Sequence, residues 1–485
     1  MPATSRPNIV FLMTDQQRAG FTRGEGGPDT MPTLDRLFAR GSRFSHAYTS
    51  APVCVPARTS LLTGRFPSAH RVRQNSTPEY ALYGQDLLDI LREAGYALHF
   101  SGKPHMHRGP EDFDTYHGPF FHENGPVERA EHEEFDAWLR ALDHGVAEEP
   151  TPLPVTSQLP HRIVDGALRA LDQTPGDKPF FLWLSFPEPH NPYQVPEPYF
   201  SMFKEEAVPD RMADASVIGT LDWRFRWLHR LVEEKRPGAD RLWRRYRANY
   251  MGMLRLIDDQ IGRLLNELGP EVENTLFVFL SDHGDFVGDY GLQRKGAGMP
   301  QALMRIPLAL TGPGVLQQNR DEPVSIVDLM PTVAERVLGR IPVGAQGRSL
   351  DPLLTGEEAP EAEFSSMYAE LGYGGVSYSE EDRPELHFPY EGASFDELNS
   401  VTLSGEMRMV VSGRHKLVVD DAGREQLYDV VEDPAELCDL SDDPRFQETR
   451  AHLCRLLIRW LLRVADDLPE GVYEPNVRKH NWRWA

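Results

Sequence analysis

A cysteine and an arginine stand four residues apart at the start of a predicted helix. Cys54 precedes Pro56, whose fixed φ suits a first helical turn, and Gly64 is a typical helix stop. Free backbone N–H groups and the helix dipole at that end favour an anion. Arg58, one turn further on, would direct a forked guanidinium at the same place, which suits a tetrahedral oxyanion. A lone cysteine is more often a buried structural residue, so these residues alone leave both interpretations open.

Two apolar runs, typical of buried strands, end in polar residues that could bind a cation. These residues are Asp15 and Gln16 after the run at 8–13, and Asp282 and His283 after the run at 275–280. Open α/β sheets bind ligands at the carboxyl ends of their strands, where such side chains would meet. A helix N-cap is the alternative role for either aspartate. The amide of Gln16 brings no charge, which makes it the weaker ligand.

Three basic residues stand in loops that follow other predicted strands. Lys103 and His105 come after a strand at 96–101, and His190 comes after an apolar run at 179–186. Prolines on both sides of His190 stiffen its loop, and an imidazole can exchange a proton near neutral pH. Solvated surface groups are the usual alternative for lysine and histidine in loops.

The composition disfavours several classes of function. The chain has 485 residues and a formal net charge of −23, which disfavours nucleic acid and anionic membranes as partners. Local charge in a cleft can oppose that sign, so an anionic small substrate remains compatible. The sequence has no apolar run of membrane-spanning length, and residues 1–7 lack the apolar core of a secretory signal. Three cysteines indicate no disulfide framework, so we expect a cytoplasmic protein.

Residues 54–64 match the C-x-P-x-R-x-x-x-x-T-G signature of the sulfatase family, within the alkaline-phosphatase superfamily. Shorter strings resemble other elements of that family, namely G-K-x-H at 102–105, P-H-x-P at 189–192 and S-D-H-G at 281–284. The Asp-Gln pair at 15–16 and the Asp-His pair at 282–283 together resemble the residues found in the branch of the family that includes choline sulfatases and phosphonate monoester hydrolases.

The resemblance implies that Cys54 is oxidised after synthesis to formylglycine, an aldehyde whose hydrate is the nucleophile. A formylglycine-generating maturation enzyme would then be a partner. In the family, the signature arginine helps to hold the nucleophile, two lysines bind the sulfate, and two histidines support the formylglycine and assist the leaving oxygen. These roles would fall to Arg58, to Lys103 and Lys295, and to His105 and His190. Asn75 resembles a substrate-contacting asparagine of this branch, with a turn residue as the alternative.

The resemblance also implies one divalent metal ion in the same site. Its ligands would be Asp15, Gln16, the modified Cys54, Asp282 and His283. By resemblance to the family we expect Ca²⁺ first. A mixed set of carboxylates, an amide and an imidazole also accepts Mn²⁺, Mg²⁺ or Zn²⁺.

The expected function is metal-dependent hydrolysis of a small-molecule or sugar sulfate ester, which releases sulfate and an alcohol. A phosphonate monoester or phosphodiester hydrolase with the same machinery is the nearest alternative. Members of that group are expected to carry uncharged hydroxyl residues in place of Lys103 and His105, so these two residues favour sulfate. A non-catalytic protein that keeps the fold is a third possibility, against which the complete set of candidate residues argues.

Strand-like runs that end in candidate residues alternate with helical segments, which predicts an α/β fold. The resemblance implies an alkaline-phosphatase-like sandwich with a large, mostly parallel central sheet. Further along, apolar runs at 407–411 and 415–419 predict a hairpin, and a helix is expected at 446–464. We therefore expect a catalytic domain at 1–362 and a C-terminal subdomain at 363–485, with a small antiparallel sheet and one helix.

Overall fold

The computed structural model describes residues 6–75, 78–176, 178–296, 298–372, 379–382, 388–390, 393–395 and 405–465. The strands are β1 (Asn8–Asp15), β2 (Ser42–Phe44), β3 (Ala47–Tyr48), β4 (Ala97–Gly102), β5 (Thr115–His117), β6 (Phe180–Pro189), β7 (Thr275–Ser281), β8 (Leu308–Thr311), β9 (Gln318–Arg320), β10 (Val324–Ser325), β11 (Met367–Leu371), β12 (Phe388–Tyr390), β13 (Ala393–Phe395), β14 (Met407–Ser412), β15 (His415–Asp420) and β16 (Glu425–Asp429). The helices are α1 (Pro32–Phe38), α2 (Cys54–Thr63), α3 (Pro67–His70), α4 (Leu87–Glu93), α5 (Ala130–Ala141), α6 (Leu159–Asp172), α7 (Tyr199–Met202), α8 (Trp223–Lys235), α9 (Trp243–Leu268), α10 (Gln301–Met304), α11 (Leu329–Leu338), α12 (Asp351–Thr355) and α13 (Gln447–Val464).

The main sheet has eight strands in the order β5-β4-β6-β1-β7-β8-β2-β9. Its neighbouring strands are parallel except in the two pairs that contain β8. Parallel neighbours need long crossover connections, and helices such as α4 and α6 lie within the connections between these strands. The arrangement confirms the expected α/β fold with a large, mostly parallel central sheet.

Strand β1 lies near the centre of this sheet, between β6 and β7. Its side chains alternate between two hydrophobic cores, with Phe11 and Met13 in one and Val10 and Leu12 in the other. A parallel strand that is covered on both faces must be apolar at every position rather than at every second one. Burial on both faces therefore explains the continuous apolar run that precedes Asp15.

Helices supply the cover on both faces of the main sheet. On one face α9 packs against α1, α6 and β6, and its buried side chains include Leu254, Ile257 and Ile261. This helix has 26 residues and begins at Trp243. On the other face α2 packs against α4 and α11. Among the described residues, no helix combines the length and the apolarity that crossing a bilayer requires.

A second, antiparallel sheet follows in the order β11-β14-β15-β16. Helix α13 packs against β14 and β15. Trp460 of α13 stacks on Tyr368 with ring centroids 6.0 Å apart, and it meets the edge of Phe66 at 5.9 Å. Because Phe66 lies just after α2, these rings join the small sheet to the core of the main sheet. The antiparallel sheet with one packed helix is confirmed, and the domain division at 1–362 and 363–485 stays a prediction.

We expect Trp460→Ala to lower the free energy of unfolding by about 3–5 kcal/mol, the usual cost of truncating a large buried aromatic side chain. The indole is buried and also donates a hydrogen bond to Ser366 Oγ. Urea unfolding followed by near-UV circular dichroism measures the change. Leu462→Ala is the matched control on the same helix, because Leu462 is exposed and its loss should cost less than about 0.5 kcal/mol. Equal effects of the two substitutions would contradict this account of the packing.

Candidate active site

The candidate residues converge at the carboxyl edge of the main sheet, where the neighbouring parallel strands β4, β6, β1 and β7 end. Asp15 is the last residue of β1, while Lys103, His190 and Asp282 directly follow β4, β6 and β7. Ligands of open α/β sheets bind at this edge. The order of the strands explains why residues so distant in the chain meet at one place.

Helix α2 begins at Cys54 itself and ends before Gly64, whose φ of 63° forms the left-handed cap that glycine allows. The Cys54 side chain is completely buried. Its Sγ lies 3.2 Å from His283 Nε2, 3.4 Å from Lys295 Nζ and 3.8 Å from Asp15 Oδ1. The start of the helix therefore places the thiol among an imidazole, an ammonium group and a carboxylate.

Arg58, one turn along α2, is fully buried. Its Nη2 donates to Asp15 Oδ2 and its Nε donates to Asp282 Oδ2, both at 2.9 Å. Its Nη1 donates to Ser185 Oγ and to the Lys103 carbonyl oxygen, both at 2.8 Å. The fork that was expected to face an oxyanion is thus directed at two carboxylates. A pair of buried anions needs a cation with several donors, and the guanidinium meets that need.

Lys103 adds a second buried cation beside Asp15. Its Nζ lies 2.8 Å from Asp15 Oδ2, and neither side chain has exposed surface. Burial by itself raises the pKa of the Asp15 carboxyl, but the Lys103 ammonium and the Arg58 guanidinium outweigh it and hold that pKa well below its usual value. Asp15 therefore remains ionised at neutral pH.

Lys295 lies between Cys54 and His190, the histidine predicted to assist the leaving oxygen. Besides its contact with Cys54, its Nζ lies 3.3 Å from Gln16 Oε1 and 3.3 Å from His190 Nε2. His190 Nδ1 lies 3.0 Å from the Asn191 carbonyl oxygen, which can only accept a hydrogen bond. This contact assigns the proton to Nδ1 and turns the Nε2 side of the ring towards the ammonium group.

Gln16 is held by residues to which the sequence analysis gave no role. Its Nε2 donates to Asp285 Oδ2 at 2.7 Å, which turns its Oε1 towards Lys295. Asp285 also accepts hydrogen bonds from the hydroxyl groups of Tyr193 and Tyr246. The only signal in the sequence was the position of Asp285 in the string Ser-Asp-His-Gly-Asp. In the structure this carboxylate orients a candidate metal ligand.

The two remaining candidates lie close to the same helix and loops. Asn75 Oδ1 accepts a hydrogen bond at 3.0 Å from the backbone N–H of Val55, one of the donors that the first turn of α2 cannot pair internally. Asn75 thus helps to cap the helix that carries Cys54. His105 is buried, has a φ of 38°, and its ring meets Phe121 edge-on with centroids 6.1 Å apart. Substrate contact by Asn75 and support of the formylglycine by His105 stay predictions.

The donors around Cys54 fit a divalent cation. One ligand atom from each of Asp15, Cys54, Asp282 and His283 lies within 4.8 Å of the others, and all four residues are buried. Burial lowers the pKa of His283, which favours the neutral imidazole that a metal requires. Gln16 Oε1 accepts a hydrogen bond from Lys295 Nζ, which also contacts Cys54 Sγ, so this amide oxygen lies close to the same site. Carboxylate oxygens with one imidazole are acceptable to Ca²⁺, Mn²⁺ and Zn²⁺.

Residues 7–339, more than half of the chain, match the family model named Sulfatase. The chain belongs to the sulfatase family. It is therefore a hydrolase of the alkaline-phosphatase superfamily, as the signature at 54–64 predicted. An arylsulfatase of Clostridium perfringens is 28% identical and covers 94% of this chain and 94% of its own length. A choline-sulfatase of Rhizobium meliloti is 27% identical and covers 91% of this chain and 84% of its own length.

The fold is shared with solved structures as well. The crystal structure of the phosphonate monoester hydrolase of Agrobacterium radiobacter covers 95% of this chain and 96% of its own, with a TM-score of 0.77 and 22% sequence identity. Similarity at that level of identity shows the fold alone. The relatives of the chain thus include a choline-sulfatase, and a phosphonate monoester hydrolase shares its fold, which agrees with the predicted resemblance.

We expect Asp282→Asn to lower the content of bound divalent metal, because it removes one of the carboxylate charges from the donor set. Inductively coupled plasma mass spectrometry on the purified protein measures metal per chain, and added metal should restore part of the lost activity. Asp442→Asn, at an exposed position, is the control and should leave the metal content unchanged. A normal metal content in Asp282→Asn would remove this residue from the metal site.

Proposed function

We propose that the protein hydrolyses small-molecule or sugar sulfate esters, using one divalent metal ion and a formylglycine made from Cys54. The observation that carries the proposal is the surroundings of Cys54 Sγ, which lies within 3.8 Å of His283, Lys295 and Asp15 at the start of α2. An imidazole, an ammonium group and a carboxylate thus surround the place from which a nucleophile would act on an anionic ester.

The unmodified thiol of Cys54 is poorly suited to be that nucleophile. Burial, together with the Asp15 carboxylate, raises the pKa of the thiol far above its usual value, although Lys295 and Lys103 act in the opposite direction. Cysteine nucleophiles act as thiolates and need a lowered pKa. The environment therefore favours Cys54 as the precursor of a different nucleophile. The signature at 54–64 supports formylglycine, whose hydrate supplies a nucleophilic oxygen.

The metal ion would be held by the donors already described. They are Asp15, Asp282, His283, Gln16 through Oε1, and an oxygen of the modified residue 54. When bound, the ion polarises oxygen ligands and neutralises negative charge. Arg58 prepares this site, because its bonds to both aspartates fix the carboxylates before any ion binds.

The other side chains orient the ester and handle its proton. Lys103 and Lys295 carry the ammonium groups that would bind the sulfate oxygens. Hydrolysis breaks the bond between sulfur and the alcohol oxygen, and that oxygen must receive a proton as it leaves. His190 is the proposed donor in its imidazolium form, in which Nε2, beside Lys295 Nζ, carries a proton as well as Nδ1. His105 is the proposed base that restores the aldehyde for the next turnover.

A phosphonate monoester or phosphodiester hydrolase is the alternative, and the fold shared with the Agrobacterium radiobacter enzyme supports it. Sulfate monoesters and phosphonate monoesters carry the same charge, so charge alone does not separate them. A phosphonate has an alkyl group in place of one oxygen and would leave one N–H donor, for example of the Lys103 ammonium group, without an acceptor in the ester. The names of the arylsulfatase and the choline-sulfatase also support sulfate.

We expect the peptide that carries residue 54 to have the mass of formylglycine when the protein is produced in its native host. Mass spectrometry of the digested protein measures this directly. Cys54→Ala should abolish turnover and leave the circular dichroism spectrum unchanged. Cys454→Ala, which alters a partly exposed cysteine in α13, is the control and should keep activity. An intact thiol at residue 54 in active protein would exclude the formylglycine mechanism.

We expect the wild-type enzyme to have a higher kcat/KM for an aryl sulfate than for the matching aryl phosphonate. A buried donor without an acceptor costs about 1–3 kcal/mol, roughly a factor of ten to a hundred in selectivity. Lys103→Met keeps the apolar stem and removes the charge, so it should reduce the ratio of the two kcat/KM values.

The exposed Lys178 provides a matched control, and Lys178→Met should leave both kcat/KM values unchanged. Equal losses on the two esters in Lys103→Met would show that Lys103 does not discriminate between them. A wild-type preference for the phosphonate would instead favour the alternative function.

A further inference from the structure

A second group of metal-ligating side chains lies outside the donor set around Cys54. It consists of His122, Glu123 and His144, called here the histidine cluster. One ligand atom from each residue lies within 4.8 Å of the other two. His144 Nε2 is 2.9 Å from Glu123 Oε1, and the ring centroids of His122 and His144 are 5.4 Å apart.

Two short turns bring the histidine cluster together. Phe121 and Asn124 form an antiparallel bridge, with N···O distances of 2.8 and 3.4 Å, and His122 and Glu123 are the two residues between them. His144 lies in the turn after α5, and the residues that follow it pair through the backbone with the loop after β6. The cluster is therefore built from segments that backbone hydrogen bonds fix on both sides.

The three side chains of the histidine cluster are buried, with exposed fractions of 2% for His122, 4% for Glu123 and 3% for His144. Burying a carboxylate and two imidazoles costs free energy unless their polar atoms are paired or bind a metal. A cation at this point would accept a lone pair from each of the three residues at once. Their burial and mutual distances together make a site with the form of a metal centre.

We propose that the histidine cluster binds a second divalent metal ion of the Zn²⁺ type. Two imidazoles and one carboxylate form a known set of three protein ligands for zinc. The fourth coordination position then remains for water or another oxygen. Imidazole suits Zn²⁺, whereas Ca²⁺ prefers oxygen ligands. The histidine cluster shares no residue with the carboxylate-rich set around Cys54, so the two sites would differ in metal preference.

The histidine cluster adjoins the catalytic centre without being part of it. The ring of His122 stacks on that of His190, with centroids 4.5 Å apart and an interplanar angle of 27°. His190 in turn contacts Lys295. The second metal would therefore lie on the side of the site where His190 meets the alcohol part of the ester, a placement that depends on the proposed function, whereas metal binding itself does not.

The zinc content of the full chain tests the proposal without any assay of activity. The wild-type protein, Asp282→Asn, His144→Gln and the double variant are loaded with Zn²⁺, passed through gel filtration and analysed by inductively coupled plasma mass spectrometry. We expect His144→Gln to hold one equivalent of zinc less than the wild type. The double variant should hold one equivalent less than Asp282→Asn, whatever occupies the site around Cys54. The proposal would be overturned if His144→Gln held as much zinc as the wild type and the double variant held as much as Asp282→Asn.

A matched control and a second variant keep this result interpretable. His99 is as buried as His122, but its ring nitrogens contact Thr115 and Thr174, so His99→Gln should keep all of its zinc. Glu123→Gln preserves the shape of the side chain and should lose the same single equivalent as His144→Gln.

Cobalt binding gives a spectroscopic readout that can be measured on a protein with an unchanged histidine cluster, so it does not require a cluster variant to fold. Asp282→Asn loaded with Co²⁺ should take up at least one equivalent and show the visible absorption bands of an ion bound through imidazole. Glu123→Gln in the same background should take up one equivalent less and lose the bands that this equivalent contributes. Absence of cobalt uptake by folded Asp282→Asn would overturn the second metal site and leave the proposed sulfatase function untouched.

Discussion

The buried ion cluster of Arg58 with Asp15 and Asp282 is the interaction on which the rest of the site depends. The two carboxylates stand at the ends of neighbouring strands without exposed surface, and burying two such charges is costly without a compensating cation. Arg58 bonds to both from α2, so the same contacts fix Cys54 one helical turn earlier. Losing one partner of such a buried pair costs about 3–5 kcal/mol, because the remaining charge is left uncompensated. The candidate metal donors and the candidate nucleophile thus share one framework.

This framework also gives an anionic protein a locally cationic site. The chain carries a formal net charge of −23. Around the cysteine, however, Arg58 and Lys103 contact the carboxylates of Asp15 and Asp282, and Lys295 adds a third cation beside the thiol. These five side chains carry a positive surplus before any metal binds. Local positive charge of this kind can attract a small anionic ester although the net charge of the chain is negative.

The ends of the strands could be predicted from the sequence, whereas the partners of the side chains could not. A strand buried on both faces must be continuously apolar, so the polar residue at its end, such as Asp15, marks the ligand edge of the sheet. The direction of the Arg58 donors depends on Ser185, which β6 supplies because of a strand order that no local pattern encodes. Likewise the amide of Gln16 is oriented by Asp285, 269 residues away. The histidine cluster could not be predicted either, because its segments have no periodic pattern.

The small antiparallel sheet reaches the active site through the loop that carries Lys295. Lys416 on β15 donates from Nζ to the Met299 carbonyl oxygen at 2.7 Å, and Glu436 accepts from the Gln301 backbone N–H at 2.7 Å. Lys416 and Glu436 are themselves joined in a buried ion pair. An ammonium group on a flexible four-carbon stem binds a sulfate oxygen well only if its backbone is held in place. The sheet lies beyond the residues that match the family model, yet it anchors the loop of a proposed substrate lysine and so belongs to the construction of the catalytic centre.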